Sequence, residues 1–151
     1  MTPTELLEFM RTQRLAVQAS CALGGRAQAA LVGIAVTDMF EIIFDTLDST
    51  RKAQNLRQSP LAAFVLGGWR AADERTVQFE GVADEPMGAE LERIKHAYFA
   101  AWPDGRDRTA WAGLTYFRVR PTWIRFSDFN RAPPRVFEFS SEQLGAVSSR
   151  G

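Results

Sequence analysis

An arginine and a lysine stand side by side at the start of a predicted helix, in the segment FDTLDSTRKAQNL, residues 44–56. The first turn of a helix carries unpaired backbone N–H groups and the positive end of the helix dipole, which together favour a bound anion. The same dipole disfavours cations, so Arg51 and Lys52 are badly placed unless an anion joins them. Arg51 can hold phosphate oxygens with its planar guanidinium, and Lys52 adds a compact charge. The alternative is a capped surface helix with two solvated cations.

Neighbouring residues define this helix and supply further donors. Asp48 or Ser49 is the predicted N-cap, and Pro60 is expected to end the helix. The hydroxyl groups of Ser49 and Thr50 can add hydrogen bonds to an anion. The residues alone therefore make a phosphate site at the helix start plausible.

Short strands with the two-residue period of β-structure make up much of the chain. They are predicted at 14–20, 27–37, 41–46, 61–69 and 76–84, and as two strands within 114–129 that break near Pro121. Helices are predicted up to about Thr12, after Asp48 and within 87–102. The alternation of strand and helix typical of a doubly wound sheet is missing. This order predicts one mostly β domain over residues 1–151, an antiparallel barrel of six to seven strands with peripheral helices, whose tail from about residue 140 is expected to be mobile.

The composition limits the classes of partner. Eighteen basic and eighteen acidic residues cancel, which gives no general electrostatic reason to bind nucleic acid or an anionic membrane. The sequence shows no apolar run of the roughly 20 residues that cross a bilayer, and no signal peptide, so a cytoplasmic location is expected. Cys21 is the only cysteine, which excludes an internal disulfide and a cysteine metal cluster, and we expect it to be a small buried residue.

The stretch from Ala29 to Trp69 resembles the flavin-binding core of the pyridoxamine 5'-phosphate oxidase-like family. The likeness rests on an apolar strand, a second strand with an aromatic residue near a threonine, and the pattern Ser/Thr-Arg-Lys-x-x-Asn-Leu that opens a helix. The matching residues are Phe44, Thr46, Thr50, Arg51, Lys52, Asn55 and Leu56. TVQFEG, residues 76–81, and VRPTWIRFSDFNR, residues 119–131, resemble later strands of the family. The resemblance implies an FMN-binding split barrel that forms a homodimer with two FMN molecules at the subunit interface.

The resemblance also implies which residues contact FMN. The phosphate is expected at Arg51 and Lys52, assisted by Ser49 or Thr50. Contacts to the isoalloxazine, through backbone groups and the Thr46 hydroxyl, are expected from two strand segments: Leu31, Val32 and Gly33, and Phe44, Asp45 and Thr46. Thr76 stands where some relatives carry a glutamine that contacts flavin, although a threonine has a shorter reach. Trp123 or Phe126 is expected near the dimethylbenzene edge or in the dimer interface.

One departure from the family concerns the reaction. True pyridoxamine 5'-phosphate oxidases have Arg and His two residues apart near the C-terminus, whereas Arg131 is followed by Pro133 in the histidine position. Proline has no titratable ring, so we do not expect pyridoxamine 5'-phosphate oxidase activity. The expected function is an FMN-dependent oxidoreductase acting on an unidentified small molecule. The alternatives are a non-catalytic flavin-binding sensor, storage or stress protein, and a barrel that binds a deazaflavin or haem.

The aromatic-rich segment at residues 96–117 has two interpretations. The first is core and interface packing, since Tyr98 and Trp102 recur at helical spacing. The second is a wall over the flavin, with Arg106 and Arg108 available to an anionic substrate. The first is favoured for the aromatic residues, and the role of the arginines stays open. His96 is expected to be a solvated helix residue.

Overall fold

The computed structural model describes residues 1–148, and the side chains of residues 1–145. Four α-helices are present within residues 1–148: α1 (Pro3–Thr12), α2 (Arg51–Gln58), α3 (Gly88–Ala101) and α4 (Ser141–Ser148), with a 3-10 helix at Pro103–Ala110 after α3. The strands are β1 (Leu15–Cys21), β2 (Ala27–Gly33), β3 (Ala35–Val36), β4 (Ile42–Leu47), β5 (Leu61–Gly67), β6 (Arg75–Asp84), β7 (Leu114–Asp128) and β8 (Arg135–Ser140). The segment expected to be mobile thus includes α4, and its last residues, 149–151, lie outside the described part of the chain.

All eight strands belong to one antiparallel sheet, in the order β2-β1-β5-β6-β7-β4-β3, with β8 also paired to β7. Only Ile34 separates β2 from β3, so these two act as one bent strand. Its first half pairs with β1 and its second half with β4, at opposite ends of the strand order. The sheet therefore curls into the predicted split barrel.

Strand β7 corrects the prediction of two strands that break near Pro121. It runs unbroken for 15 residues. Its register against β6 shifts, since Glu80 lies opposite Trp123 and Gly81 lies opposite Pro121, which leaves Thr122 as an extra residue. Such a β-bulge accommodates a proline, which has no N–H for the ladder, without ending the strand.

Two apolar clusters stabilise the two sides of the curled sheet. The larger fills the barrel and includes Phe64, Phe79 and Phe117, while α1 and α2 add buried residues to it. The smaller lies between α3 and the outer surface of β4 and β7, and is formed by Ala35, Ile43, Ile94, Tyr98 and Tyr116. Because neighbouring residues of a strand point to opposite faces, β4 contributes to both clusters. Among residues 1–148, no helix is long and apolar enough to cross a membrane.

The outer surface of β2, β1 and β5 is apolar, and most of its residues are exposed. We call it the open face, and it consists of Leu15, Val17, Ala19, Cys21, Ala27, Ala29, Leu31, Leu61, Ala63 and Val65. Val17 lies opposite Leu31 on one side and Val65 on the other. Leu31 is 62% exposed and Leu61 is 66% exposed. Cys21 is exposed as well, so the expectation that it is buried was wrong: it belongs to the outward set of β1.

Candidate functional site

Helix α2 begins directly after a tight turn at the end of β4. Thr50 is its N-cap, with an extended backbone, and its Oγ1 accepts a hydrogen bond from the Ala53 N–H at 3.4 Å. The same hydroxyl donates to the Leu47 carbonyl at 2.9 Å. The prediction of Asp48 or Ser49 as the cap was therefore wrong. The N–H of Asp48 donates to the Gly113 carbonyl at 2.8 Å. This bond extends the pairing of β4 with β7 by one residue and places Asp48 outside the helix.

A hydroxyl–lysine cluster, consisting of Thr46, Thr50 and Lys52, lies at the start of α2. The Oγ1 atoms of Thr46 and Thr50 are 3.0 Å apart, and the Lys52 Nζ donates to Thr46 Oγ1 at 3.5 Å. Thr46 is buried, whereas Lys52 is half-buried. Both ends of the predicted motif, the strand threonine and the helix lysine, are thus brought to one point.

The positive charges at the start of α2 have no ion-pair partner among the side chains of residues 1–145. No carboxylate of these residues pairs with Arg51 or Lys52, and both Arg51 and Ser49 are exposed. Guanidinium, ammonium, hydroxyl and the free N–H groups of the first helical turn are all hydrogen-bond donors to an anion. A phosphate monoester, the anionic end of FMN, matches this donor set in charge and in kind.

The other residues of the β4 segment do not join this cluster through their side chains. Phe44 is buried in the barrel and stacks on Phe117, with ring centroids 5.5 Å apart. Asp45 points to the opposite face, where its carboxylate accepts hydrogen bonds from the Tyr98 hydroxyl at 2.8 Å and the Arg108 Nε at 3.1 Å. Burial, reinforced by the Asp45 carboxylate, raises the pKa of Tyr98 well above its usual value. These contacts engage Arg108 in holding the 3-10 helix and α3 against β4.

The three predicted residues of β2 have different surroundings. Leu31 is on the open face, and Val32 lies in the barrel core. Gly33 packs against the indole of Trp102, so closely that an added Cβ would lie 2.9 Å from the ring. Trp102 also donates from Nε1 to the Ile34 carbonyl at 2.9 Å, and the Arg14 guanidinium stacks 4.1 Å from the ring centroid. Most aromatic residues of the 96–117 segment thus pack against strands or each other, as expected: Tyr98, Phe99 and Tyr116 make edge contacts with one another, whereas Trp111 is exposed.

Thr76 shares the outer surface of the sheet with Leu31 but lies far from it. It sits on β6, opposite Gly67, and β1 and β5 separate β6 from β2. Three strand spacings amount to about 14 Å.

Trp123 and Phe126 are the two aromatic residues predicted near the flavin or in the dimer interface. Phe126 lies in the core, in edge contact with Phe9 at 5.2 Å, while Trp123 is half-buried. A flavin contact from Thr76 or Trp123 stays a prediction.

Two features of the site region were not expected from the sequence. Asn55 donates from Nδ2 to Ser20 Oγ and to Gln28 Oε1, both at 3.1 Å, which anchors α2 to β1 and β2. A cavity of about 570 Å³ lies between α1, β3 and α3. A signal for the cavity existed in the small residues Ala97, Ala100 and Ala101 on α3, whose spacing places them along one side of the helix.

Comparisons with known proteins agree with this architecture. The sequence model of the pyridoxamine 5'-phosphate oxidase family matches residues 2–128. A haem-binding protein from Mycobacterium smegmatis superposes with a TM-score of 0.79 at 16% identity, over 95% of this chain and 59% of that one. HutZ, a haem storage protein from Vibrio cholerae, gives 0.67 at 15% identity, over 80% and 91%. A pyridoxamine 5'-phosphate oxidase-related, FMN-binding protein from Nostoc punctiforme gives 0.65 at 12% identity, over 91% and 86%.

Curated protein sequences give no significant match. At these low identities the solved structures show the fold alone, and both FMN-binding and haem-binding proteins share it. The family match is of a different kind, since it spans most of the chain, including α2 and every strand up to β7. The chain belongs to the pyridoxamine 5'-phosphate oxidase-like family.

Proposed function

We propose that this protein binds FMN, with the FMN phosphate at the start of α2. The observation that carries the proposal is the hydroxyl–lysine cluster beside Arg51, where donors converge and no carboxylate of residues 1–145 balances the charge. Arg51 and Lys52 hold the phosphate charge, and Thr50 keeps its hydroxyl at the helix entry. When bound, FMN supplies hydride or electron transfer, while the protein orients the ring and excludes competing reactions.

Haem is the competing cofactor, because haem-binding proteins share the fold. The residues of this chain favour FMN over haem. His96 is the only histidine of the sequence. It is an exposed residue of α3 that borders the cavity next to α1, so it does not belong to the cluster at the start of α2. Hydroxyl and cationic donors at a helix start suit a phosphate ester better than a porphyrin iron.

The proposed assembly is a homodimer with the flavin at the subunit interface. Antiparallel sheets that face water alternate apolar and polar residues, but the outward positions of β1, β2 and β5 are apolar in a continuous block. An exposed apolar block of this kind marks an interaction surface. Leu31 belongs both to this block and to the expected flavin segment, so a second copy on the open face would enclose the flavin.

The proposed reaction is an FMN-dependent oxidation or reduction of a small molecule other than pyridoxamine 5'-phosphate. Pro133 cannot supply the histidine of the true oxidases, and Arg131 is engaged by Asp128, with Nε and Oδ2 3.3 Å apart. A flavin-binding sensor, storage or stress protein is the non-catalytic alternative. The two differ in whether a physiological donor reduces the bound flavin.

The cofactor is tested by the absorption spectrum of the purified protein and by FMN titration. We expect a flavin spectrum and about one FMN per chain at saturation. Replacing Arg51 and Lys52 together by Ala should weaken FMN binding at least about 100-fold, because each charge-assisted hydrogen bond contributes about 1.5–3 kcal/mol. Arg26→Ala, at an exposed position of the β1–β2 turn, is the control and should bind FMN normally. A Soret band without flavin, or unchanged affinity of the double variant, would contradict the proposal.

The reaction is tested on the FMN-loaded protein with NADH and NADPH, followed by reoxidation with candidate acceptors. Bleaching of the flavin within the time of a turnover, and its recovery on adding an acceptor, are expected for an oxidoreductase. A loaded flavin that neither donor reduces would favour the non-catalytic alternative.

The assembly is tested by light scattering of two matched variants. Val65 on the open face is 42% exposed, and Val136 on β8 is 41% exposed. Val65→Glu should shift the protein to the monomer mass and lower FMN affinity, because it places a charge in the apolar interface. Val136→Glu should leave the dimer intact. A monomeric wild-type protein that binds FMN would refute the homodimer.

A further inference from the structure

A cleft runs between α1 and α3, above β3, and encloses about 570 Å³. This volume falls within the range of small-molecule sites, about 300–1,000 Å³. Its walls are mainly apolar and come from three elements that are far apart in sequence. The apolar wall residues are Ile34, Ala35, Val36, Met39, Ala97, Ala100 and Ala101.

The cleft exists because α3 presents small side chains to β3. Ala97, Ala100 and Ala101 face the cleft, while the larger Ile94 and Tyr98 of the same helix pack under it against the sheet. Larger residues at the alanine positions would fill the space. Gln13, which is 5% exposed, adds a buried amide to the lining, with its Nε2 donating to Thr12 Oγ1 at 2.7 Å.

Three arginines border the cleft, and their charges differ in how they are balanced. Arg11 pairs with Asp38, and Arg93 pairs with Glu41 at 2.9 Å and with a second carboxylate of its own helix. Arg14 instead stacks on Trp102 and donates from Nη2 to the Ala101 carbonyl at 3.2 Å. No carboxylate among the side chains of residues 1–145 pairs with it, so the charge of Arg14 is available to a ligand at the end of the cleft.

We propose that this cleft binds a small organic monoanion with an apolar body, such as an aryl or branched-alkyl carboxylate or sulfonate. The apolar walls take up the body of the ligand, and Arg14, held in place by Trp102, pairs with the anionic group. Ligands with several charges are disfavoured, because the other two arginines are already paired with carboxylates. The inference does not depend on FMN, whose proposed phosphate site is on α2.

The test is fluorescence titration of the full chain with two probes, anionic 8-anilinonaphthalene-1-sulfonate and its neutral relative N-phenyl-1-naphthylamine. Arg14→Gln should weaken binding of the sulfonate at least about tenfold, because a charge-assisted contact is lost. It should leave binding of the neutral probe within about twofold, because the walls are unchanged. Ala97→Leu should weaken both probes by filling the cleft, with Ala100→Leu as a second filling variant if the first does not fold.

Matched controls separate this site from other apolar surfaces. Ala89→Leu adds the same bulk at an exposed position of α3, and Arg26→Gln removes an exposed arginine far along the chain. Neither should change binding of either probe. If Ala97→Leu behaves like Ala89→Leu, the probe binds elsewhere, for example on the open face, and the inference is wrong. It is equally wrong if Arg14→Gln behaves like Arg26→Gln.

Discussion

The two ends of helix α2 handle positive charge in opposite ways. At the C-terminal end, Arg57 donates to both oxygens of Glu85, at 2.9 and 2.7 Å, and lies where the helix dipole favours a cation. At the N-terminal end, Arg51 and Lys52 lie where the dipole disfavours cations, and no carboxylate of residues 1–145 pairs with them. From this contrast we expect Arg57 to stabilise the fold and the N-terminal pair to cost stability in the absence of an anion.

The α3 side of the molecule resembles the Arg57 end. Arg118 is almost fully buried, and its guanidinium reaches Asp84 and Glu90, each at 2.6 Å. The hydrogen bonds that Arg118 donates to the Asp84 carboxylate raise the pKa of Arg118, against the opposing effect of burial. Paired arginines thus connect α3 to the sheet. The unpaired cations at the start of α2 differ from this pattern, which supports the proposal of an anion site there.

Removal of the Thr50 hydroxyl should have the largest effect on stability at the N-terminal end. Thr50→Ala loses the cap on Ala53 N–H and the bond to the Leu47 carbonyl, which we expect to cost about 1–2 kcal/mol of the free energy of unfolding. Urea denaturation measures this. Ser49→Ala is the matched control, with an expected change below about 0.5 kcal/mol. An equal loss in both variants would mean that Thr50 is not the working cap.

Removal of the Glu85 charge tests whether the Arg57–Glu85 ion pair at the C-terminal end of α2 stabilises the fold. The hydrogen bond from Arg57, with help from Thr115, holds the pKa of Glu85 below its ordinary value of 4.5. The ionised form is therefore favoured by folding, and its stabilisation is complete above pH 4.5 and is lost as the pH falls below that value. Glu85→Gln should cost about 1 kcal/mol at pH 7, since the pair is partly exposed.

The difference in unfolding free energy between Glu85→Gln and the wild type should shrink as the pH is lowered below 4.5 and the Glu85 carboxylate takes up its proton. Glu92→Gln is the control, because Glu92 is exposed and only 3.5 Å from Lys95 in a weak pair. A pH-independent difference would show that packing, not charge, connects α2 to the sheet.

The smallest effect is expected for Arg51→Gln combined with Lys52→Gln, and it has the opposite sign. Without ligand, the variant should be more stable than the wild type by up to about 1 kcal/mol, because two cations leave the positive end of the dipole. With saturating FMN the order should reverse, since only the wild type gains binding energy. Thermal unfolding with and without FMN measures both. If the ligand-free variant is less stable than the wild type, Arg51 and Lys52 stabilise the fold and the prediction is wrong.

Local patterns were enough to predict most elements. The alternation of apolar and polar residues predicts the strands, because successive side chains of a strand point to opposite faces of the sheet. The start of α2 follows from the Ser/Thr-Arg-Lys pattern, and Pro60 ends it where the structure does, after the cap residue Ser59. Choosing among Asp48, Ser49 and Thr50 as the cap required the contact between Asp48 and Gly113, which are 65 residues apart. Strand β8 was not predicted, because Pro133 and Pro134 directly precede it and favour an irregular segment. The strand forms through its pairing with β7, which is a tertiary contact.

Residue order therefore predicted a mostly β antiparallel barrel, the positions of most strands and the cationic helix start, because strand and helix patterns depend on neighbours within a few residues. The split barrel was implied by the family resemblance. Packing decided what depends on distant residues. It placed Cys21 outside rather than inside, because alternation defines two faces of a strand but not which of them is covered. It left Arg51 and Lys52 without a carboxylate among residues 1–145 while pairing Arg57 and Arg118. It also opened the cleft at Arg14, whose walls come together only when α1 and α3 dock on β3.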